Sequence, residues 1–333
     1  MIRPVLALGL VAFLATLPAR AEPPGLRLPI ACVVGRTCLI QNHVDRDPAS
    51  PGARDYSCGS LTYDGHNGVD FRVPTLKAQR AGVEVLSAAR GRVARVRDGV
   101  PDVSVRERGA PDPSGRDCGN GIVVDHEDGW ETQYCHLARG SVRVRPGESV
   151  QAGQPLGQVG LSGNTEYPHL HFTVRQGGRV VDPFAPDPGQ AAACGGGASL
   201  WSDEAGSLLA YRPGALLNTG FATGPVTIEA VEAGMPDAAP GPDAPALVAF
   251  VRAIGLKAGD RQRLVLLGPD GRVLADHKPE PLDRDKAQVM LFSGIRRPAG
   301  GWATGPYRAA YTVERAGKVV VDGTFEAAPG APP

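Results

Sequence analysis

A surplus of charge of one sign is missing from this sequence: 35 Lys and Arg balance 35 Asp and Glu. The chain therefore lacks the basic footprint that a nucleic-acid partner requires. No internal repeat and no low-complexity tract occurs, which removes a repeat architecture. Beyond Leu17 no segment is apolar enough to cross a bilayer. Histidine is scarce, at seven residues, and from residue 201 onward no His, Cys or paired-acid constellation occurs. That part is expected to carry no catalytic group, and a chain ending near Gln190 is expected to keep any activity. What is plentiful is Gly (44) and Pro (31), which favour turns and short strands over long helices.

The first residues read as a secretory signal. Arg3 precedes an uncharged apolar run from Val5 to Leu17, and Ala19-Arg20-Ala21 is a small-x-small cleavage site. The run is too short to span a hydrocarbon core of ~30 Å. A signal peptide over 1–21 is expected, with a secreted or periplasmic product and no membrane span after its removal. Six cysteines in an exported chain argue for disulfides. Cys32 and Cys38 flank a tight stretch and are expected to pair. Cys118 precedes one strand and Cys135 ends the next, so they can face each other across a hairpin. Cys58 and Cys194 then remain. Spacing alone does not fix this connectivity.

The expected class is mainly β. Residues 22–58 read as an extended lead-in. Over 59–185, short strands are expected at Val69 to Val73, Val83 to Ser87, Arg92 to Arg97, Gly121 to His126, Trp130 to His136, Val142 to Val144, Pro155 to Val159, His169 to Arg175 and Arg179 to Val181. Asp98 to Asp117 reads as a long surface loop, and 186–200 as a linker. A second β series over 201–330 includes Val226 to Val231 and suggests a small, immunoglobulin-like sandwich. His277 is expected in a solvated loop, and His126 in a structural hydrogen bond. His43 has no role by sequence.

His169-Leu170-His171 carries most of the chemical information. Two imidazoles spaced i, i+2 on a strand point to one face, while Leu170 and Phe172 point to the core. His66 and Asp70, four apart, can converge on the same point. His and carboxylate groups are zinc ligands, and a site that keeps one position open serves hydrolysis. His136 ends another strand. Alternation would turn Cys135 away from a cleft that His136 faces. Spacing alone does not say which member of the His-x-His pair binds metal.

These residues carry a resemblance. His66-x3-Asp70, Gly121-Ile122-Val123-Val124-Asp125-His126, Tyr134-Cys135-His136-Leu137, Val159-Gly160-Leu161-Ser162-Gly163 and Pro168-His169-Leu170-His171-Phe172 resemble the lysostaphin/LytM-type zinc peptidases, in order and spacing. The resemblance covers roughly Gly59 to Phe184, and Asp182-Pro183 matches the family's usual ending. It implies an antiparallel β-sheet with a groove and Zn2+ held by His66, Asp70 and His171. It further implies His136 and His169 as catalytic groups acting on water and oxyanion, and peptidoglycan as the substrate. A catalytically silent regulator that binds and activates a cell-wall amidase is the alternative. The chain departs from the family in its long Asp98–Asp117 loop, in Cys135 before His136, and in the added C-terminal sandwich. That sandwich is expected to dock a cell-wall protein or position the enzyme.

Overall fold

The computed structural model describes residues 24–47, 49, 51–187, 194, 195, 198–236 and 240–328. The expected signal peptide lies outside the described residues, as do 188–193, 196 and 197 of the expected linker. Strand accounts for 40% and helix for 6%, so the mainly β expectation holds.

In chain order the elements are β1 (Leu39–Asn42), β2 (Val69–Arg72), α1 (Leu76–Arg80), β3 (Glu84–Leu86), β4 (Gly91–Arg97), β5 (Asn120–Asp125), β6 (Trp130–Leu137), β7 (Ser149–Val150), β8 (Pro155–Gln158), β9 (His169–Gln176) and β10 (Arg179–Val181). There follow α2 (Asp203–Leu208), β11 (Ala215–Ala222), α3 (Ile228–Ala233), β12 (Ala246–Leu256), β13 (Arg261–Leu267), β14 (Val273–His277), β15 (Lys286–Arg296), β16 (Tyr307–Arg315) and β17 (Lys318–Ala327).

An antiparallel sheet in the order β1-β2-β9-β6-β5-β4-β7, with β10 on β9, forms the first body. Its strands form because apolar side chains recur every second residue. On β9, Leu170, Phe172 and Val174 enter the core, and His169, His171 and Thr173 take the other face. Asp70 on β2 stands directly opposite His171 on β9, and Cys135 on β6 stands opposite it from the other side. Register alone thus brings three distant segments to one spot.

The second body has a three-stranded sheet, β11-β12-β15, and a four-stranded sheet, β14-β13-β16-β17. Leu247, Ala249 and Val251 of β12 meet Leu264, Leu266, Ala309 and Tyr311 of the facing sheet in one core. This is a two-sheet sandwich.

Several segments differ from the sequence-based expectation. Val226 to Val231 is not a strand; the chain there forms α3. The Thr227 hydroxyl caps it by accepting from Ala230 N–H at 3.1 Å, and Gly234 ends it in a left-handed conformation at φ 101°. Those two end signals outweigh the β-branched composition between them. Val142 to Val144 pairs with no strand, whereas β1, β7, β11 and β14 were not expected. His277 ends β14 and hydrogen-bonds to the Phe292 carbonyl at 2.8 Å, so it is no loop residue. The stretch read as a lead-in is built into the first body: Leu26 bridges to Trp201, Ile30 bridges to Val85, and β1 edges the main sheet. Past the expected linker the chain returns to the first core, where Trp201 packs 5.7 Å from Phe172 and 5.6 Å from Phe184, ring to ring.

The two bodies are joined by a buried charge cluster. Arg72 of β2, 1% exposed, donates to Glu232 of α3 at 2.7 Å and to Gln41 at 2.9 Å. Arg252 of β12, 0% exposed, also donates to Glu232 and to the carbonyl of Pro74. One carboxylate is thus shared by two arginines that water cannot reach, and it offsets one of their two charges. All six cysteines are paired, as Cys32–Cys38, Cys58–Cys194 and Cys118–Cys135.

Asp182, at the end of the first body, gives a pH signature. Burial pushes its carboxyl up to about 6; the Phe184 N–H and the Arg46 charge oppose this, and Asp55 adds to it. Its Oδ2 has no hydrogen-bond partner among the described residues. A raised folded-state pKa means that the folded chain binds this proton more tightly than the unfolded chain. Its contribution is fully present below about pH 4 and is lost as pH rises through 6. Urea unfolding of Asp182→Asn beside the natural chain should show the variant gaining about 2–3 kcal/mol in relative stability between pH 4 and pH 8. Parallel pH profiles would show that the carboxyl is not perturbed.

Candidate active site

Five side chains converge above the sheet. His66 comes from the turn before β2, Asp70 from β2, His136 from the end of β6, and His169 and His171 from β9. Potential ligand atoms of His66, Asp70 and His171 lie within 4.8 Å of one another, and so do those of His136, His169 and His171. His171 belongs to both groups. In contacts, Asp70 Oδ2 is 3.2 Å from His66 Nε2, and Asp70 Oδ1 is 2.9 Å from His171 Nδ1 and 3.4 Å from His169 Nε2.

The outer contacts fix each ring. His66 Nδ1 lies 2.7 Å from the His43 carbonyl, which can only accept, so Nδ1 carries the proton and Nε2 presents a lone pair. His136 Nδ1 donates in the same way to the Ser162 carbonyl at 2.8 Å, and His169 Nδ1 to the Tyr167 carbonyl at 2.9 Å. His171 is turned the other way. Its Nε2 reaches Asn67 Oδ1 at 3.0 Å and Thr173 Oγ1 at 3.1 Å, which leaves Nδ1 facing Asp70. Gly68 makes this placement possible: a Cβ there would lie 2.5 Å from His171 Nε2.

A cation fits this arrangement. With their outer nitrogens committed, His66 Nε2 and His171 Nδ1 direct lone pairs at each other across 3.3 Å and at a carboxylate. Three acceptors facing inward in a buried site repel unless a positive charge sits among them. Burial works against charge on His66, but the Asp70 carboxylate and the His43 carbonyl raise its pKa overall. Burial alone would raise Asp70, but His66 and His169 hold it well below the usual carboxylate range. Burial, with His169 and His171 adding to it, holds His136 well below the usual imidazole value, and burial also lowers His171. His136 is therefore neutral at pH 7.

One expectation about faces fails here. Cys135 lines the same hollow as His136 instead of turning away. The reason is local: His136 has φ 61°, in the left-handed region, so regular alternation stops at Cys135. His136 N–H then donates to the Cys118 carbonyl at 2.8 Å, beside the disulfide. A non-glycine residue at such a φ stores local strain, which is common where a side chain must be aimed.

Sequence reasoning missed several members of the site. Asn42 Nδ2 donates to Asp70 Oδ2 at 2.8 Å. His43 supplies the carbonyl that sets His66, while its own ring is buried among Tyr56, Phe184 and Tyr211. Tyr167 lies under Arg72, whose guanidinium is 3.9 Å from the ring centroid. Only Asn67 and Thr173 could have been found, as neighbours of named ligands on the same strand face or turn. His126 bonds the Arg90 carbonyl and the Thr132 hydroxyl, both at 2.7 Å, and belongs to neither group of potential ligands. The Asp98–Asp117 loop is pinned at the cleft end: Asp102 accepts from Leu161 and Arg139 N–H, and Ser104 donates to the Glu166 carbonyl.

Comparison with known proteins finds similarity over the segment that carries the five side chains. The model of peptidase family M23 matches residues 64–183. This segment is a peptidase family M23 domain. Over 124 residues, 37% of this chain, it is 34% identical to the cell division protein DipM of Caulobacter vibrioides, covering 17% of that protein. Over 122 residues, also 37% of this chain, it is 31% identical to the peptidoglycan DD-endopeptidase ShyB of Vibrio cholerae, covering 23% of it. The chain thus spans about a fifth of the length of these curated relatives. Among solved structures, the catalytic domain of the antimicrobial peptidase lysostaphin from Staphylococcus simulans aligns at 25% identity and a TM-score of 0.27, covering 36% of this chain and 77% of that one. Among the described residues, no helix is long and apolar enough to cross a membrane.

Proposed function

We propose that this chain is an exported zinc metalloendopeptidase that hydrolyses peptide cross-links or stem peptides of peptidoglycan. The observation that carries the reading is the inward convergence of His66, Asp70 and His171 beside two further imidazoles whose Nε2 atoms remain uncommitted outside the cluster. Relatives named as peptidoglycan endopeptidases support the substrate class.

His66, through Nε2, Asp70 and His171, through Nδ1, are the proposed zinc ligands. Zinc bound there would supply Lewis acidity and lower the pKa of water. The protein does the rest. His169 Nε2 accepts the proton of the attacking water and passes it to the leaving amine, its ring held by Tyr167 and Thr165 through Nδ1. His136, kept neutral by burial, stands on the other side with its ring centroid 4.6 Å from that of His169, and it stabilises the developing oxyanion. The silent-regulator alternative has less support, because all five polar positions are present.

The test is digestion of purified sacculi by zinc-loaded protein, with new peptide termini identified by mass spectrometry. Release of new amino termini is expected. Zinc at one per chain without any new terminus would defeat the peptidase reading.

A further inference from the structure

The cleft over Asp70, His136, His169 and His171, about 630 Å3, is not walled by the M23 segment alone. One wall comes from Tyr63 and Asn164 to Tyr167. The other comes from the sandwich: Gly255 and Leu256 at the end of β12, and Asp285, Lys286 and Ala287 at the start of β15. The second wall is fixed in place. Gln41 Nε2 donates to the Ala287 carbonyl at 3.1 Å, the Ser60 hydroxyl donates to Asp285 Oδ2 at 2.7 Å, and Arg72 donates to Gln288 at 3.3 Å.

The charged groups along this cleft are unequally satisfied. Asp285 also accepts from the Ala258 N–H at 2.9 Å, so both its oxygens are engaged. Glu166 is paired with Arg106. Among the described residues lining the cleft, Lys286 is the one lysine or arginine. Its ammonium lies 2.9 Å from Asp283; the lysine side chain is 26% exposed and that of Asp283 73%. A pair whose acid is this exposed is weak, and the lysine is free to exchange Asp283 for a better-placed carboxylate. The metal-side carboxylate, Asp70, is already committed to the imidazoles.

Resting on the peptidase reading, we infer that the sandwich wall is a substrate subsite, in which Lys286 binds a carboxylate of the peptide. The sandwich is then a specificity element of the catalytic cleft. A substrate carboxylate displaces Asp283 and is held against β15 while the scissile bond lies over His169 and His136. An uncharged carboxamide at the same place loses a charge-assisted contact, about tenfold in affinity.

The experiment uses the full chain, zinc-loaded, and a set of cross-linked muropeptides in which each free carboxylate is converted in turn to the carboxamide. For the natural protein, one conversion should lower kcat/KM about tenfold, chiefly through KM. In Lys286→Gln that preference should shrink to within about twofold. An undiminished preference in Lys286→Gln, or no effect of any conversion, overturns the inference. Calorimetric binding of the same peptides to His169→Ala, with and without Lys286→Gln, separates this from the peptidase reading. Turnover absent from the natural protein, while the Lys286-dependent carboxylate preference persists in binding, rejects the peptidase and keeps the subsite. Binding preference unchanged by Lys286→Gln rejects the subsite, whatever the turnover.

Discussion

Replacing His171 by alanine is expected to strip the proposed zinc and end turnover, the largest single effect in the molecule. His171 is common to both groups of potential ligands, so no intact trio survives its loss. Two remaining protein ligands hold zinc poorly. Asp70→Ala should behave alike, because its two oxygens face His66, His169 and His171 together. His169→Ala and His136→Ala form the contrast. Each ring is anchored through Nδ1 to a carbonyl outside the ligand trio, so removing either leaves His66, Asp70 and His171 in place. Both should keep near-stoichiometric zinc and lose activity by roughly two or more orders of magnitude. Elemental analysis beside turnover, on variants whose unfolding curves match the natural chain, reads the difference. Zinc lost from His169→Ala and kept in His171→Ala would reverse the roles. Full zinc and full activity in all four would place the metal elsewhere.

Removal of the C-terminal half is expected to unfold the chain, against the sequence-based expectation that a chain ending near Gln190 stays active. Three losses coincide. Trp201 leaves the core beneath β2 and β9, and an aromatic deletion of that kind costs about 3–5 kcal/mol. Cys58 loses Cys194, ending a crosslink across a separation of 136 residues, worth up to about 5 kcal/mol by chain entropy. Arg72 loses Glu232, and an uncompensated buried charge costs about 3–5 kcal/mol. Together these are of the same size as the roughly 5–15 kcal/mol that typically separates folded from unfolded states. The single variant Glu232→Ala isolates the third loss. It also leaves Arg252 unpaired, so a drop of about 3–5 kcal/mol in denaturant unfolding is expected, with impaired turnover because Arg72 lies two residues beyond Asp70 on β2. A soluble, cooperatively folding and active chain ending at Gln190 would show that the two bodies are energetically independent.

The elements legible in the sequence were those whose signal is local. Strand β9 announced itself through alternation, and so did the division of its faces into Leu170, Phe172 and Val174 against His169, His171 and Thr173. The hairpin joining β5 to β6 was legible in Glu127-Asp128-Gly129, where all three residues take positive φ. The segment of helix α3 resembles a strand in its β-branched residues, Val226, Ile228 and Val231, and only the end signals of Thr227 and Gly234 mark it as a helix. Strand β1 was missed because Leu39–Asn42 is four residues long and gains its regularity only by pairing with β2.

The sequence by itself determined the mainly β class, the M23-like order of motifs, and the five polar side chains that gather at the site. All of these reside in residue type and short spacing, which folding cannot alter. The tertiary structure alone decided which nitrogen of each imidazole points inward, because that depends on carbonyls and amides such as those of His43, Ser162 and Asn67. It alone decided that Cys135 shares the hollow of His136, through one left-handed backbone angle. And it alone joined β15 to the cleft and Glu232 to Arg72, contacts between residues 160 or more positions apart. Such contacts leave no periodic trace along the chain. They arise because a buried arginine must find a carboxylate, and two apolar cores bring the partners within reach.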